Sequence, residues 1–222
     1  MKTLLKSLIP TALTVCALLA GTVQVKSDIS VGVDPAKTWL GYMNVYDLGG
    51  AYLWGSPWGL GDLPAVFSST SLTLSPNVST YNPADPYWVN PDGSGNKRME
   101  ANVYVEDTSL GGNILSFSGY TLSYSLAPGY SAQAFIKEFG PGYSWIGWDF
   151  QPLADGSSFN VTRAIGAGNI AQYGLMLVGP NANPATAPNL GSASVALVPE
   201  PGSAALLGFG LLWSLGSWRR RQ

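Results

Sequence analysis

Rings and carboxylates are the side chains of this chain with something to offer a ligand or a reaction. Histidine is absent and Cys16 is the single cysteine. That removes Ser-His-Asp and Cys-His catalysis, histidine-held zinc and the usual general base near neutral pH. Glycoside hydrolysis by a carboxylate pair stays open as a class, with Glu100, Glu106, Asp107, Glu138, Asp149 and Asp155 as carboxyl sources. Glu100 and Glu106, however, fall on the polar side of an alternating segment, and Glu138 adjoins Lys137. Surface charge is their expected role, and no catalytic residue is assigned. Asp92, Ser94 and Asn96 imitate the start of a calcium loop, but Lys97 stands where that loop needs glycine and Val103 where it needs a bidentate glutamate. A polar turn is expected there, with no metal site and no cofactor.

Ring stacking is the more specific prospect. Outside the C-terminal segment the chain holds Trp39, Trp54, Trp58, Trp88, Trp145 and Trp148, with Tyr42, Tyr52, Tyr87 and Tyr143 nearby in sequence. An exposed flat ring stacks on the apolar face of a pyranose. Trp54, Trp58, Tyr87 and Trp88 lie in turn-rich sequence and are the candidate glycan-stacking residues, whereas Trp39 and Trp148 are assigned to packing. The competing role for all of these rings is bulk in a core that has no disulfide to help it.

The elements that must carry these side chains read as strands. Gly, Pro, Ser, Thr, Asn, Trp and Tyr are abundant and Lys, Glu, Arg and Gln scarce, a composition suited to strands and turns rather than helices. Met99, Ala101, Val103 and Val105 alternate with Glu100, Asn102, Tyr104 and Glu106, so one side is core and the other solvated. Leu72-Leu74, Ala132-Ala134-Ile136, Tyr173-Leu175-Leu177 and Ala193-Val195-Leu197 repeat the pattern, separated by turn signals such as Pro91-Asp92-Gly93, Pro128-Gly129, Pro141-Gly142 and Asp155-Gly156. Between Leu115 and Leu126 the apolar phase changes from odd to even numbers, and a β-bulge is expected at Gly119. Ser75 to Lys97 and Pro180 to Gly191 read as irregular surface segments. The expected fold is all-β: eight or more strands in a single β-sandwich of jelly-roll type over residues 28–197.

The two ends of the sequence address the chain. Lys2 and Lys6 precede an apolar stretch from Leu8 to Val25, which reads as a signal peptide over residues 1–27 cut after Ser27. A lipoprotein signal at Cys16 would need a small residue before it, where Val15 stands. Near the other end, Pro199-Glu200-Pro201 precedes an uncharged run of seventeen residues, Gly202 to Trp218, and then Arg219, Arg220 and Arg221. That run is about 25 Å long as a helix, near the thin limit of a bilayer core. The arginines are expected to stay on the cytoplasmic side, leaving the body outside. A simple C-terminal anchor is the plainer alternative.

Residues 198–222, with this order of motif, apolar helix and arginine cluster, resemble the PEP-CTERM sorting signal of Gram-negative bacteria. The resemblance implies recognition of Pro199, Glu200 and Pro201 by an exosortase, transient anchoring through residues 202–218 with Arg219, Arg220 and Arg221 as the stop, and release to the cell surface or outside. It also implies an association with exopolysaccharide and biofilm. Lys97 to Ala101, Ala134 to Phe139 and Gln172 to Gly174 look like segments of uncharacterised passenger domains ahead of such tails, and these carry no known activity.

Between the two addresses, Asp28 to Pro199 holds five basic residues against twelve acidic ones, a net of −7. Such a surface argues against nucleic acid and anionic lipid heads as partners. The expected partners are a signal peptidase, an exosortase and, through the rings, a polysaccharide. The expected role is that of a non-enzymatic secreted surface or matrix protein, with a carbohydrate-binding module as the alternative and a carboxylate glycosidase behind it.

Overall fold

The structure, a computed structural model, describes residues 26–198. All but the end of the expected signal peptide, the motif Pro199, Glu200 and Pro201, the apolar run 202–218 and the arginine cluster lie outside the described residues. Among the described residues no helix is long and apolar enough to cross a membrane.

The described chain is all-β, with twelve strands and three short 3-10 turns. In order the strands are β1 (Asp28–Val31), β2 (Leu40–Tyr46), β3 (Tyr52–Pro57), β4 (Ala65–Phe67), β5 (Ser71–Leu74), β6 (Arg98–Asp107), β7 (Ile114–Tyr124), β8 (Ser131–Phe139), β9 (Trp145–Pro152), β10 (Ser158–Ala164), β11 (Ile170–Pro180) and β12 (Ala193–Ala196). One six-stranded sheet runs β1-β7-β12-β5-β4, with β10 on the other side of β7; the second runs β3-β2-β6-β11-β8-β9. Pairing is antiparallel except between β1 and β7.

Alternation builds the core as the sequence suggests. Met99, Ala101, Val103 and Val105 of β6, Ala132, Ala134 and Ile136 of β8, and Tyr173, Leu175 and Leu177 of β11 are buried on the inner side of the second sheet. They share one cluster with Leu72 and Leu74 of β5, Leu115 and Phe117 of β7, Phe159 and Val161 of β10, and Val195 of β12. The Phe117 ring bridges the layers, 5.3 Å from Phe159 in its own sheet and 5.4 Å from Tyr173 in the other.

The bulge expected at Gly119 is not there. Strand β7 runs in regular register with β10 through Gly119, which opposes Phe159. A Cβ on Gly119 would collide with the Phe159 ring, so this glycine serves a close ring approach. Tyr120 and Leu122 therefore stay on the exposed side while Thr121 is buried. The phase changes at Leu122, where Ser194 opposes Ser123 but Val195 opposes Thr121. Past that irregularity Tyr124 and Leu126 pack on the core.

The two irregular segments close on each other. Asn181 donates to the Trp88 carbonyl and accepts from the Lys97 amide, and Ala182 N–H donates to the Asn77 carbonyl. Asn77, Val89, Lys97 and Asn181 are buried as a result, so the irregular segment expected on the surface is pinned at these points. At the other pole of the chain, Val198 N–H donates to the Val33 carbonyl at 2.9 Å, which brings the last described residue beside the end of β1.

Candidate functional site

The outer side of the second sheet is a cleft of about 1040 Å³. Its floor is laid by the polar half of the β6 alternation, Glu100, Asn102, Tyr104 and Glu106, with Lys137 from β8 and Gln172 from β11. Register explains the grouping: Asn44 opposes Glu100, Tyr42 opposes Asn102, and Gln172 stands between Glu106 and Lys137. From β2 to β8 this floor spans three strand spacings, about 14 Å.

Aromatic rings form the walls. Tyr42, Tyr46, Tyr52 and Trp58 rise on the β2–β3 side, and Phe139, Tyr143, Trp145 and Trp148 on the β8–β9 side. Both edge strands owe one of these rings to a bulge. On β3, Val45 opposes Trp54 but Tyr46 opposes Tyr52, leaving Leu53 as an extra residue. On β9, Glu138 opposes Gly147 but Phe139 opposes Trp145, leaving Ile146 extra. Each bulge reverses the alternation by one step, so Tyr52 meets Tyr46 edge-on at 5.6 Å, and Trp145 lies beside Phe139 at 5.4 Å, on the side that also carries Trp148. Gly142 and Tyr143 have φ of +70° and +60°. A left-handed backbone is costly for a bulky side chain and persists where surroundings impose it. Here the Tyr143 hydroxyl donates to Glu106 Oε1 at 2.8 Å, which ties the strained turn to the floor.

Two carboxylates occupy the floor with different partners. Glu100 Oε1 accepts from Asn44 Nδ2 at 2.9 Å, Asn102 Nδ2 at 3.2 Å and Lys137 Nζ at 3.4 Å, and Oε2 accepts from the Tyr46 hydroxyl at 3.3 Å. Burial pushes the Glu100 carboxyl up, but the Lys137 ammonium and the two amides outweigh it and leave the group below the usual carboxylate range. Burial likewise lowers Lys137, more than Glu100 raises it. The ammonium also donates to Asn102 Oδ1 at 2.7 Å and lies over the Phe135 and Trp148 rings. Burial and the Glu100 carboxylate push Tyr46 up to about 12; burial, Glu106 and neighbouring tyrosines do the same to Tyr104. Glu106 has neutral partners, Tyr143 on Oε1 and Gln172 Nε2 on Oε2 at 2.8 Å.

Of the four stacking candidates, Trp58 lines this cleft. Trp54, on the inner side of β3 and 6.5 Å from the Trp58 ring, gathers with Tyr87 and Trp88 of the long irregular segment. Trp54 Nε1 donates to the Tyr87 hydroxyl at 2.8 Å, Trp54 and Trp88 meet edge-on at 6.0 Å, and both pack on the main core. One face of Tyr87 is occupied by Lys97 Nζ at 4.2 Å. Trp148, assigned from sequence to packing, is a wall residue stacked on Phe150 at 4.5 Å. Trp39 does pack, tilted against Phe67 at 5.5 Å.

Asp92 and Ser94 close on each other: the Ser94 amide and hydroxyl donate to Asp92 Oδ1, at 2.9 and 2.7 Å. Those bonds hold the exposed Asp92 carboxyl below its usual range. Asn96 Nδ2 donates instead to the Pro86 carbonyl, so the three do not converge. Glu100 and Glu106 are six residues apart on one strand, about 20 Å, well beyond the 5–10 Å across which paired carboxyls act on one glycosidic bond. Glu138 is not a surface charge either. It is buried on the opposite side of the sheet from Lys137, accepting from Gly166 N–H, Asn169 Nδ2 and Arg163. Arg163 also reaches Asp149 at 2.7 Å.

Compared with protein-family profiles, curated proteins and solved structures, the chain matches none.

Proposed function

We propose that this chain is an exported, non-enzymatic carbohydrate-binding protein that holds a polysaccharide in the cleft on its second sheet. The carrying observation is the combination of ring walls with a floor of hydrogen-bonding side chains, because a pyranose offers an apolar face to the one and hydroxyls to the other. Trp58 and Trp148, from opposite walls, are the stacking platforms; Asn44, Asn102 and Gln172 supply polar contacts. The two-sheet body is read as a jelly-roll-type sandwich with one parallel pairing, β1 with β7. Export uses the signal over residues 1–27, and an exosortase reads Pro199, Glu200 and Pro201 before release at the surface of a Gram-negative bacterium.

A glycan array probed with the full-length protein in detergent tests the binding. Trp58→Ala and Trp148→Ala are each expected to weaken the best glycan by about tenfold, roughly 1.4 kcal/mol. An array without binding, or both variants binding as the parent does, would sink the assignment. Intact-mass measurement of the protein from its own host tests the sorting: residues 1–27 and the segment after the Pro-Glu-Pro motif should be missing, and persistence of Gln222 counts against it.

A further inference from the structure

We infer that the cleft takes a glycan bearing protonated primary amines, a polymer containing de-N-acetylated hexosamine units, and that Glu106 is the carboxylate that receives the ammonium. The inference rests on the carbohydrate reading above and goes on to name the class of sugar.

Charge bookkeeping in the cleft points this way. Its charged lining residues are Glu100, Lys137 and Glu106. Glu100 and Lys137 neutralise each other, which leaves one carboxylate, Glu106, without a cation. A carboxylate only accepts hydrogen bonds, and each Glu106 oxygen receives one neutral donor, so acceptor capacity remains on both. A neutral sugar hydroxyl would be served as well by a glutamine at this position, without the cost of partly desolvating a charge. A uronate would meet an uncompensated like charge.

The surroundings of Glu106 also suit a cation. Tyr104 lies two residues away on the same side of β6, and Tyr143 is bonded to the carboxylate. Phe139 links Tyr143, at 6.1 Å, to Trp145, at 5.4 Å, so a ring cluster flanks the carboxylate. Ring faces attract ammonium groups, and more strongly where water is thinned out. The body's net of −7 adds a long-range field of the same preference. The other titratable groups facing this end of the cleft are Tyr42, Tyr104 and Tyr143, phenols that are neutral at mildly acidic pH and are raised further above their ordinary value, and Lys137, which lies across Gln172 and is held by Glu100.

Calorimetric titration of the full-length protein in detergent micelles, with β-linked hexamers of glucosamine, N-acetylglucosamine and glucose and an oligouronate, separates the possibilities. At mildly acidic pH the glucosamine hexamer is expected to bind at least about tenfold more tightly than the other three. That advantage should shrink as pH rises through the amine's own titration, a measurement that needs no variant. Glu106→Gln, a near-isosteric change checked by its melting curve, should remove the preference. Equal affinities for the three hexamers, or a preference for the oligouronate, overturn the inference while leaving the glycan reading standing. Silence from all four ligands overturns both.

Discussion

Glu138 and Lys137 are neighbours in sequence and serve opposite sides of one sheet. Glu138 Oε1 accepts from the Gly166 amide and Asn169, and Oε2 from Arg163, with Arg163 Nη2 at 2.8 Å. Glu138→Ala would strand these donors and half of the Arg163 charge, and is expected to cost about 3 kcal/mol in denaturant unfolding. Burial raises the Glu138 carboxyl, but its hydrogen bonds and Arg163 outweigh that and leave it below the usual range, as for Glu100. Both groups thus take up a proton more readily in the unfolded chain. Their contribution is fully present above the ordinary glutamate value of about 4.3 and is lost as pH falls through the folded values. Melting curves between neutrality and acid should show a plateau and then a fall, shallower in Glu138→Ala. Tyr143 offers a cleaner functional test. Tyr143→Gly relieves a left-handed backbone and loses one exposed hydrogen bond, so stability should stay within about 1 kcal/mol. Glycan affinity, which on the proposed reading depends on the ring and a placed Glu106, should drop by about tenfold.

Strands set which of these side chains meet. Deleting Ile146 removes the extra residue of β9 and leaves Trp145 opposite Phe139 in a regular ladder, on the same side as Trp148. The expected outcome is a folded protein, by circular dichroism, that keeps its glycan affinity. Gly174 in β11 tests the floor, since a Cβ there would press into the Val103 carbonyl and Tyr104. Gly174→Ala should cost about 2 kcal/mol in thermal or denaturant unfolding. These elements also mark what the sequence discloses. Period-two alternation in Met99 to Glu106 gives both the core side and the polar side of β6 directly. It does not disclose that the polar side is a cleft floor, because the cover over Glu100 comes from Asn44 and Lys137, distant in sequence and brought close by register. Trp145 and Trp148 differ by an odd number, so simple alternation assigns them to opposite sides, and only the bulge reunites them. Gly119 was the visible irregularity in β7, yet its neighbour Phe159 lies on another strand, and the real shift at Leu122 depends on β12. Trp54 and Trp88 look ligand-facing in turn-rich sequence, but they pack on the main core once the segment 75–97 folds over β3, while Tyr87 stays exposed.

At the scale of the whole molecule, the two sheets divide the labour. Hydroxyl pairs such as Ser116 with Thr162 and Thr73 with Ser194, both at 3.0 Å, tie neighbouring strands of the first sheet, and the ring-walled cleft belongs to the second. Val198, bonded to Val33, follows β12 in the first sheet. While the chain is still anchored beyond Val198, before the proposed release, the pull would therefore enter one sheet, and a polymer in the proposed site would pull on the other. Such load would pass between them through Phe117, Tyr173 and the side chains packed around them, as shear across the shared core. The proposed binding surface would thus be mechanically separate from the point where the anchored chain leaves the fold, and tension there need not pry open the cleft walls.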